Sequence, residues 1–142
     1  IDEPSAGTVR IGNDETVLWS GTNNSAVSAF NLSEQKNNFE RIKVYGSLAS
    51  TWGAYTCELP TKYDSDTQIK YATTLMGTNG DGSPLQIYGC SFSSNDGLSY
   101  SFVRSVTRWF SFTNTASMGG NTGTKPIITK IVGINRINGG NA

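Results

Sequence analysis

Histidine is absent from the 142 residues. That removes the usual general base, the usual partner of a catalytic Ser or Cys, and the commonest metal ligand. Charge is also scarce, with 15% charged residues and a formal net charge of +0. A basic footprint for nucleic acid is therefore missing, as is an acidic tail. Near-zero charge leaves little repulsion between copies, which suits a chain that assembles. No apolar run approaches the roughly 18 residues of a membrane-spanning helix. The 2 cysteines, Cys57 and Cys90, are too few and too far apart for a zinc cluster. They read either as a disulfide or as free buried thiols. No secretory signal pattern opens the chain; Asp2, Glu3 and Pro4 read as a linker, as in a piece cut from a longer protein.

What is present is Ser, Thr, Asn and Gly in abundance, and hydrophobic alternation of period two. Leu98 to Phe112, LSYSFVRSVTRWFSF, is the clearest case. Tyr100, Phe102, Arg104, Val106, Arg108 and Phe110 fall on one side of an extended chain, with a bulge expected near Arg104. Strands are also expected at Val9–Gly12, Glu15–Ser20, Ala26–Leu32, Phe39–Tyr45, Ala49–Leu59, Gln68–Met76, Leu85–Phe92 and Pro126–Ile137. Asn31 with Glu34 matches a capping box, so a helical turn over Ser33 to Asn38 competes with a plain turn. Gly77–Pro84 and Ser93–Gly97 have hairpin-loop composition, and Asn114–Lys125 reads as a loop. Gly133 marks a bulge or a close approach inside the last strand. Short strands with Gly/Asn turns and no strong helix predict an all-β, antiparallel β-sandwich, jelly-roll-like. One domain is expected, with a linker over 1–8, the sandwich over 9–137 and a tail over 138–142.

Candidate chemistry is thin. GGNTGTK, Gly119 to Lys125, has the wrong glycine spacing for a phosphate loop, and Pro126 stands where Ser or Thr is needed. Asp64, Asp66, Asp81 and Asp96 fall in loops, where Asp serves turns more often than catalysis or calcium binding. Asn23–Ser25 and Asn31–Ser33 fit glycosylation sequons, which matter only in a secreted eukaryotic protein. No catalytic residue, cofactor or metal is expected. Aromatics are the better signal, because flat rings stack on sugars; their competing role is core or subunit interface. Tyr63, in a polar loop, is the first candidate platform for a glycan, with Asp66 as a hydrogen-bonding neighbour; Trp52 and Tyr55 come next, and Tyr100 and Trp109 belong to the same set. The last strand is apolar on both faces: Ile128, Val132 and Ile134 on one, Ile127, Ile131 and Ile137 on the other. Burial on both faces predicts a subunit contact.

TVLWSG at Thr16–Gly21, FNLSEQKNNFERIKVYG at Phe30–Gly46 and KIVGINRI at Lys130–Ile137 form a series. It resembles the C-terminal domain of tailed-bacteriophage tail fibres and prophage-encoded fibre proteins. The resemblance spans most of the chain, but its motifs are short and structural, and Leu48–Thr124 matches none of them. It implies a homotrimeric, non-enzymatic receptor-binding tip at the distal end of a virion's tail fibre, attached to an upstream fibre shaft. Its partner would be a bacterial surface glycan, commonly lipopolysaccharide, or an outer-membrane receptor. The resemblance carries no binding residues across. Assembly in the bacterial cytosol also argues against a disulfide. Competing readings are a structural trimerisation or capping domain, a surface-polysaccharide depolymerase fragment, and the carbohydrate-binding module of a secreted enzyme.

Overall fold

The computed structural model describes residues 14–21, 25–48, 54–61, 67–76, 85–110 and 118–137. The elements are β1 (Glu15–Ser20), β2 (Ala29–Asn31), a 3-10 turn (Lys36–Asn38), β3 (Phe39–Ser47), β4 (Tyr55–Pro60), β5 (Gln68–Met76), β6 (Leu85–Ser94), β7 (Ser99–Phe110), β8 (Met118–Thr122) and β9 (Ile127–Arg136). Two antiparallel sheets form. The first has the order β1-β9-β3-β4; the second runs β2-β7-β6-β5, with β8 also paired to β7. The protein is an all-β sandwich. The connections β1 to β2, β2 to β3, β4 to β5 and β8 to β9 cross between the sheets. Val9–Gly12 lies outside the described residues.

Alternation is what makes these segments strands. In β3, Ile42 and Val44 are buried while Arg41, Lys43 and Tyr45 are half-buried on the other side. In β5, Ile69, Tyr71 and Leu75 face in. The β6–β7 hairpin closes through Asp96, whose carboxylate accepts from the amides of Leu98 and Ser99, both at 2.8 Å, and from Ser94 Oγ at 2.9 Å. Those bonds hold its pKa below the usual carboxylate value. Gly97 takes the left-handed position, φ 78°, that a side chain would resist. The loop Asp is turn chemistry here, as its position suggested.

The bulge in β7 falls at Val103, since Ser91 pairs with Arg104 and Phe92 with Phe102. One extra residue reverses the alternation. Before it Tyr100 is buried; after it Ser105 and Thr107 are buried, and Arg104 and Val106 point to solvent. The expected single face of Tyr100, Phe102, Arg104 and Val106 is thus corrected: the strand changes sides midway. Two further local readings of secondary structure change. The loop Asn114–Lys125 contains β8, whose glycines hide a strand that pairs Val106–Phe110. The capping box is not used, because Gln35 caps the 3-10 turn without a side-chain bond and Glu34 has another role.

The core lies between the sheets. Phe30, Phe92 and Tyr100 pack at one end, with Phe30 and Phe92 centroids 4.9 Å apart. Tyr55, Tyr71 and Tyr88 pack at the other, with Leu18, Ile42, Val44, Ile128 and Ile131 also in the cluster. Cys57 on β4 and Cys90 on β6 are both free. Burial pushes the Cys90 thiol up to about 11, so it stays protonated and inert.

Strand β9 is buried on both faces, and within one chain. Val132 and Ile134, at 0% exposure, lie outside the inter-sheet cluster. Their register neighbours are Val17 and Lys43 for the first, Glu15 and Arg41 for the second. Directly paired residues share a face, so these side chains flank Val132 and Ile134 on it. Lys43 and Lys130 sit 5.1 and 4.6 Å from the Tyr45 ring, and Arg41 pairs with Glu58 at 3.0 Å. Both faces of β9 are thus buried within one chain, so its two apolar faces do not by themselves call for a second subunit.

Glu34 ties the start of the fold to its end. Its carboxylate accepts from Arg136 Nη1 at 2.7 Å and Nη2 at 2.8 Å, and from Asn38 Nδ2 at 2.9 Å. The bidentate Arg136 contact, ahead of the Asn38 bond, lowers its pKa from 4.5 to about 2 despite some desolvation. A depressed carboxylate stabilises the fold fully above its unfolded value and stops doing so as pH falls through the folded one. The melting temperature is therefore expected to fall between pH 4.5 and about 2, and Glu34→Gln to flatten that fall. At neutral pH the variant is expected to cost about 1 kcal/mol, because solvent screens the pair. Thermal melts of both proteins across that pH range check it.

Candidate functional site

The outer face of the second sheet carries a row pattern fixed by register. Lys70, Ser91 and Arg104 lie side by side, then Ala72, Gly89 and Val106, then Thr74, Ile87 and Arg108. Small residues in the middle row leave a shallow recess of about 450 Å³, lined by Lys70, Ala72, Gly89, Ser91, Arg104 and Val106. It is open to solvent. Its floor is apolar, and Ile87 (41% exposed), Val103 (45%) and Val106 (38%) leave further apolar surface on the same sheet.

Gly89 is the informative residue. A glycine inside a strand weakens it by roughly 0.5–1 kcal/mol relative to alanine. Elsewhere in the molecule crowding explains the glycine: a Cβ on Gly46 would stand 2.6 Å from the Ile127 carbonyl, and one on Gly133 2.4 Å from the Phe39 ring. On Gly89 it would meet only the Tyr71 carbonyl at 3.6 Å, Ala72 Cβ at 3.7 Å and Val106 Cγ1 at 3.9 Å, all ordinary contacts. Its φ lies outside the left-handed range. Neither packing nor backbone conformation requires glycine there. What its missing side chain leaves is the open floor.

The electrostatics are one-sided. Strands β5, β6, β7 and β8 contain no Asp or Glu, whereas Lys70, Arg104 and Arg108 all stand on them. Arg108 donates to the Thr107 carbonyl at 2.9 Å. Among the described residues, Lys70 and Arg104 form no salt bridge. The recess thus offers a guanidinium, an ammonium and the Ser91 hydroxyl around an apolar floor.

Of the residues expected to bind, Tyr63, Asp66 and Trp52 lie outside the described residues. Tyr55 is corrected. It is 8% exposed, its ring packs 5.8 Å from Tyr71 and 6.4 Å from Tyr88, and its hydroxyl shares a 2.6 Å hydrogen bond with Tyr71. Burial raises the pKa of both phenols. Tyr55 is a core residue, and no ligand reaches its face. Tyr100, at 1% exposure, is likewise core. The sequence reading sought aromatics and passed over Lys70, Gly89 and Arg104. The signal that could have found them is the absence of acid from 68–76, 85–94 and 99–110, together with a glycine in mid-strand.

Fold and recess together define a small β-sandwich presenting a shallow cationic groove on a rigid sheet. No protein-family model matches the chain, and no curated protein matches it.

Proposed function

We propose that this chain is a non-enzymatic receptor-binding tip domain of a bacteriophage tail fibre, recognising a bacterial surface glycan for host attachment. The observation that supports this is the solvent-open recess around Gly89, an unforced glycine on a rigid sheet, flanked by donors. Its walls supply cations and a hydroxyl, which bind, and no carboxylate pair of the kind glycoside cleavage uses. The phage assignment rests on the resemblance of the β1, β3 and β9 sequences to fibre tips. The homotrimer, the upstream shaft and the place at the distal end of the virion's fibre rest on the same resemblance. A shallow site binds weakly, and copies held on one fibre would multiply it through effective concentration.

The test is binding of the purified domain to bacterial cells with and without intact surface polysaccharide. Fluorescently labelled protein is expected to bind the intact cells and to lose at least about tenfold in affinity on the stripped ones. Equal binding to both would rule out a glycan receptor. Light scattering on the same sample is expected to give a mass three times that of the chain.

A further inference from the structure

We infer that the recess around Gly89 is a subsite for a carboxylated sugar, a hexuronate or similar acid, with Arg104 and Lys70 as the carboxylate's partners. This deepens the glycan reading above and depends on it.

The argument starts from the cations. Arg104 and Lys70 flank Ser91 on adjacent strands, so their Cα atoms stand roughly 10 Å apart across two strand spacings. Both side chains are long enough to bend toward a group placed between them, and Ser91 lies beneath that point. Neither has an ion-pair partner among the described residues. With no acid on these strands, an anion entering the recess meets no like charge from the sheet.

The floor selects what carries the anion. Ala72, Gly89 and Val106 form an apolar strip one row below the cations. A pyranose ring has an apolar face of C–H groups that lies flat on such a strip, which places an acidic substituent over the Lys70–Ser91–Arg104 row. A bulkier residue at position 89 would occupy the space of the ring.

Carboxylate is favoured over phosphate by the backbone. Phosphate sites recruit free amides from helix ends or nests. Here β6 is paired on both sides, to β5 and β7, so its amides are committed to the ladders. The polar groups over the central strand are then side chains, and a planar guanidinium matches a planar carboxylate bidentately.

The test is an NMR titration of isotopically labelled domain with galacturonate and glucuronate, against galactose and glucose as neutral controls and galactose 1-phosphate as the phosphate arm. The acids are expected to shift the amides of Lys70, Gly89, Ser91 and Arg104 at millimolar concentration, at least about tenfold more tightly than the neutral sugars. Arg104→Gln is expected to weaken acid binding at least about fivefold. Gly89→Val is expected to abolish it while the melting temperature stays level or rises, because a Cβ at this position meets only ordinary contacts and a β-branched residue suits a strand. Equal affinity for acids and neutral sugars, tighter binding of the phosphate, or retention of binding in Gly89→Val would each overturn the inference. So would silence of these amides while the domain still binds polysaccharide-bearing cells, an outcome that leaves the adhesion reading standing. Acid binding by a domain that ignores those cells would sink the adhesion reading and keep the subsite. Acid-induced self-association, or a stable dimer or trimer through this face that Gly89→Val disrupts, would assign the recess to assembly and overturn the proposal.

Discussion

Gly133→Val is expected to destabilise the sandwich by about 3 kcal/mol, enough to remove much of the stability of a domain this size. Gly133 sits mid-strand in β9, opposite Ile42 on β3 and Thr16 on β1. A Cβ there would lie 2.4 Å from Phe39 Cγ and 2.5 Å from Cδ2, more than an ångström inside normal contact. The Phe39 ring has nowhere to go. It is 0% exposed and roofed by the Arg136 guanidinium at 4.5 Å, which Glu34 holds in turn. The backbone angle at Gly133 is ordinary, so close approach is the whole effect. Elsewhere on a sheet glycine to valine is stabilising by up to about 1 kcal/mol, so the sign of the result decides the matter. Urea melts of Gly133→Ala, Gly133→Val, Phe39→Ala and the double variants check it. The penalty at 133 is expected to shrink in the Phe39→Ala background, since the cycle measures the contact itself. A stabilised Gly133→Val would contradict the packing described.

Tyr71→Phe and Tyr55→Phe are each expected to cost about 1–3 kcal/mol, and the double variant no more than either single one. The two hydroxyls share one 2.6 Å hydrogen bond inside the core, linking β5 of one sheet to β4 of the other. Tyr71→Phe leaves the Tyr55 hydroxyl without this bond inside the core, whereas in Tyr55→Phe the Tyr71 hydroxyl keeps the Cys90 thiol beside it, so that loss is expected to be the smaller of the two. Removing both leaves two phenyl rings in the same contact, 5.8 Å between centroids. Burial raises both phenol pKa values, so neither ionises in the ordinary range and the cost should be independent of pH near neutrality. Tyr88 is a control of another kind. Its hydroxyl donates to the Thr124 carbonyl at 2.7 Å, an oxygen that also accepts from Ser105 Oγ at 2.7 Å. Tyr88→Phe therefore leaves that carbonyl satisfied and is expected to cost less. Additive losses in the Tyr55–Tyr71 cycle would show that the shared bond contributes nothing.

Local sequence determined much of the strand inventory, because alternation records which residues share a face of one strand. FERIKVY, QIKYATTLM and the β6–β7 hairpin are legible for that reason, as is the bulge beside Arg104 and the close approach at Gly133. The sequence alone also set the scarcity of acid on the second sheet. Tertiary structure decided what those strands face. An inserted residue at Val103 reverses every side chain beyond it, and alternation cannot say which half of the strand turns inward. Val132 and Ile134 are buried beside residues of β1 and β3, strands far away in the chain, so two apolar faces on one strand do not by themselves call for a partner subunit. Tyr55 and Tyr100 are core residues because the opposing sheet closes over them. The recess exists because Lys70, Gly89 and Arg104 come into one patch through the pairing of three strands. Register between distant strands is fixed by the packing of whole sheets, a property no single segment carries.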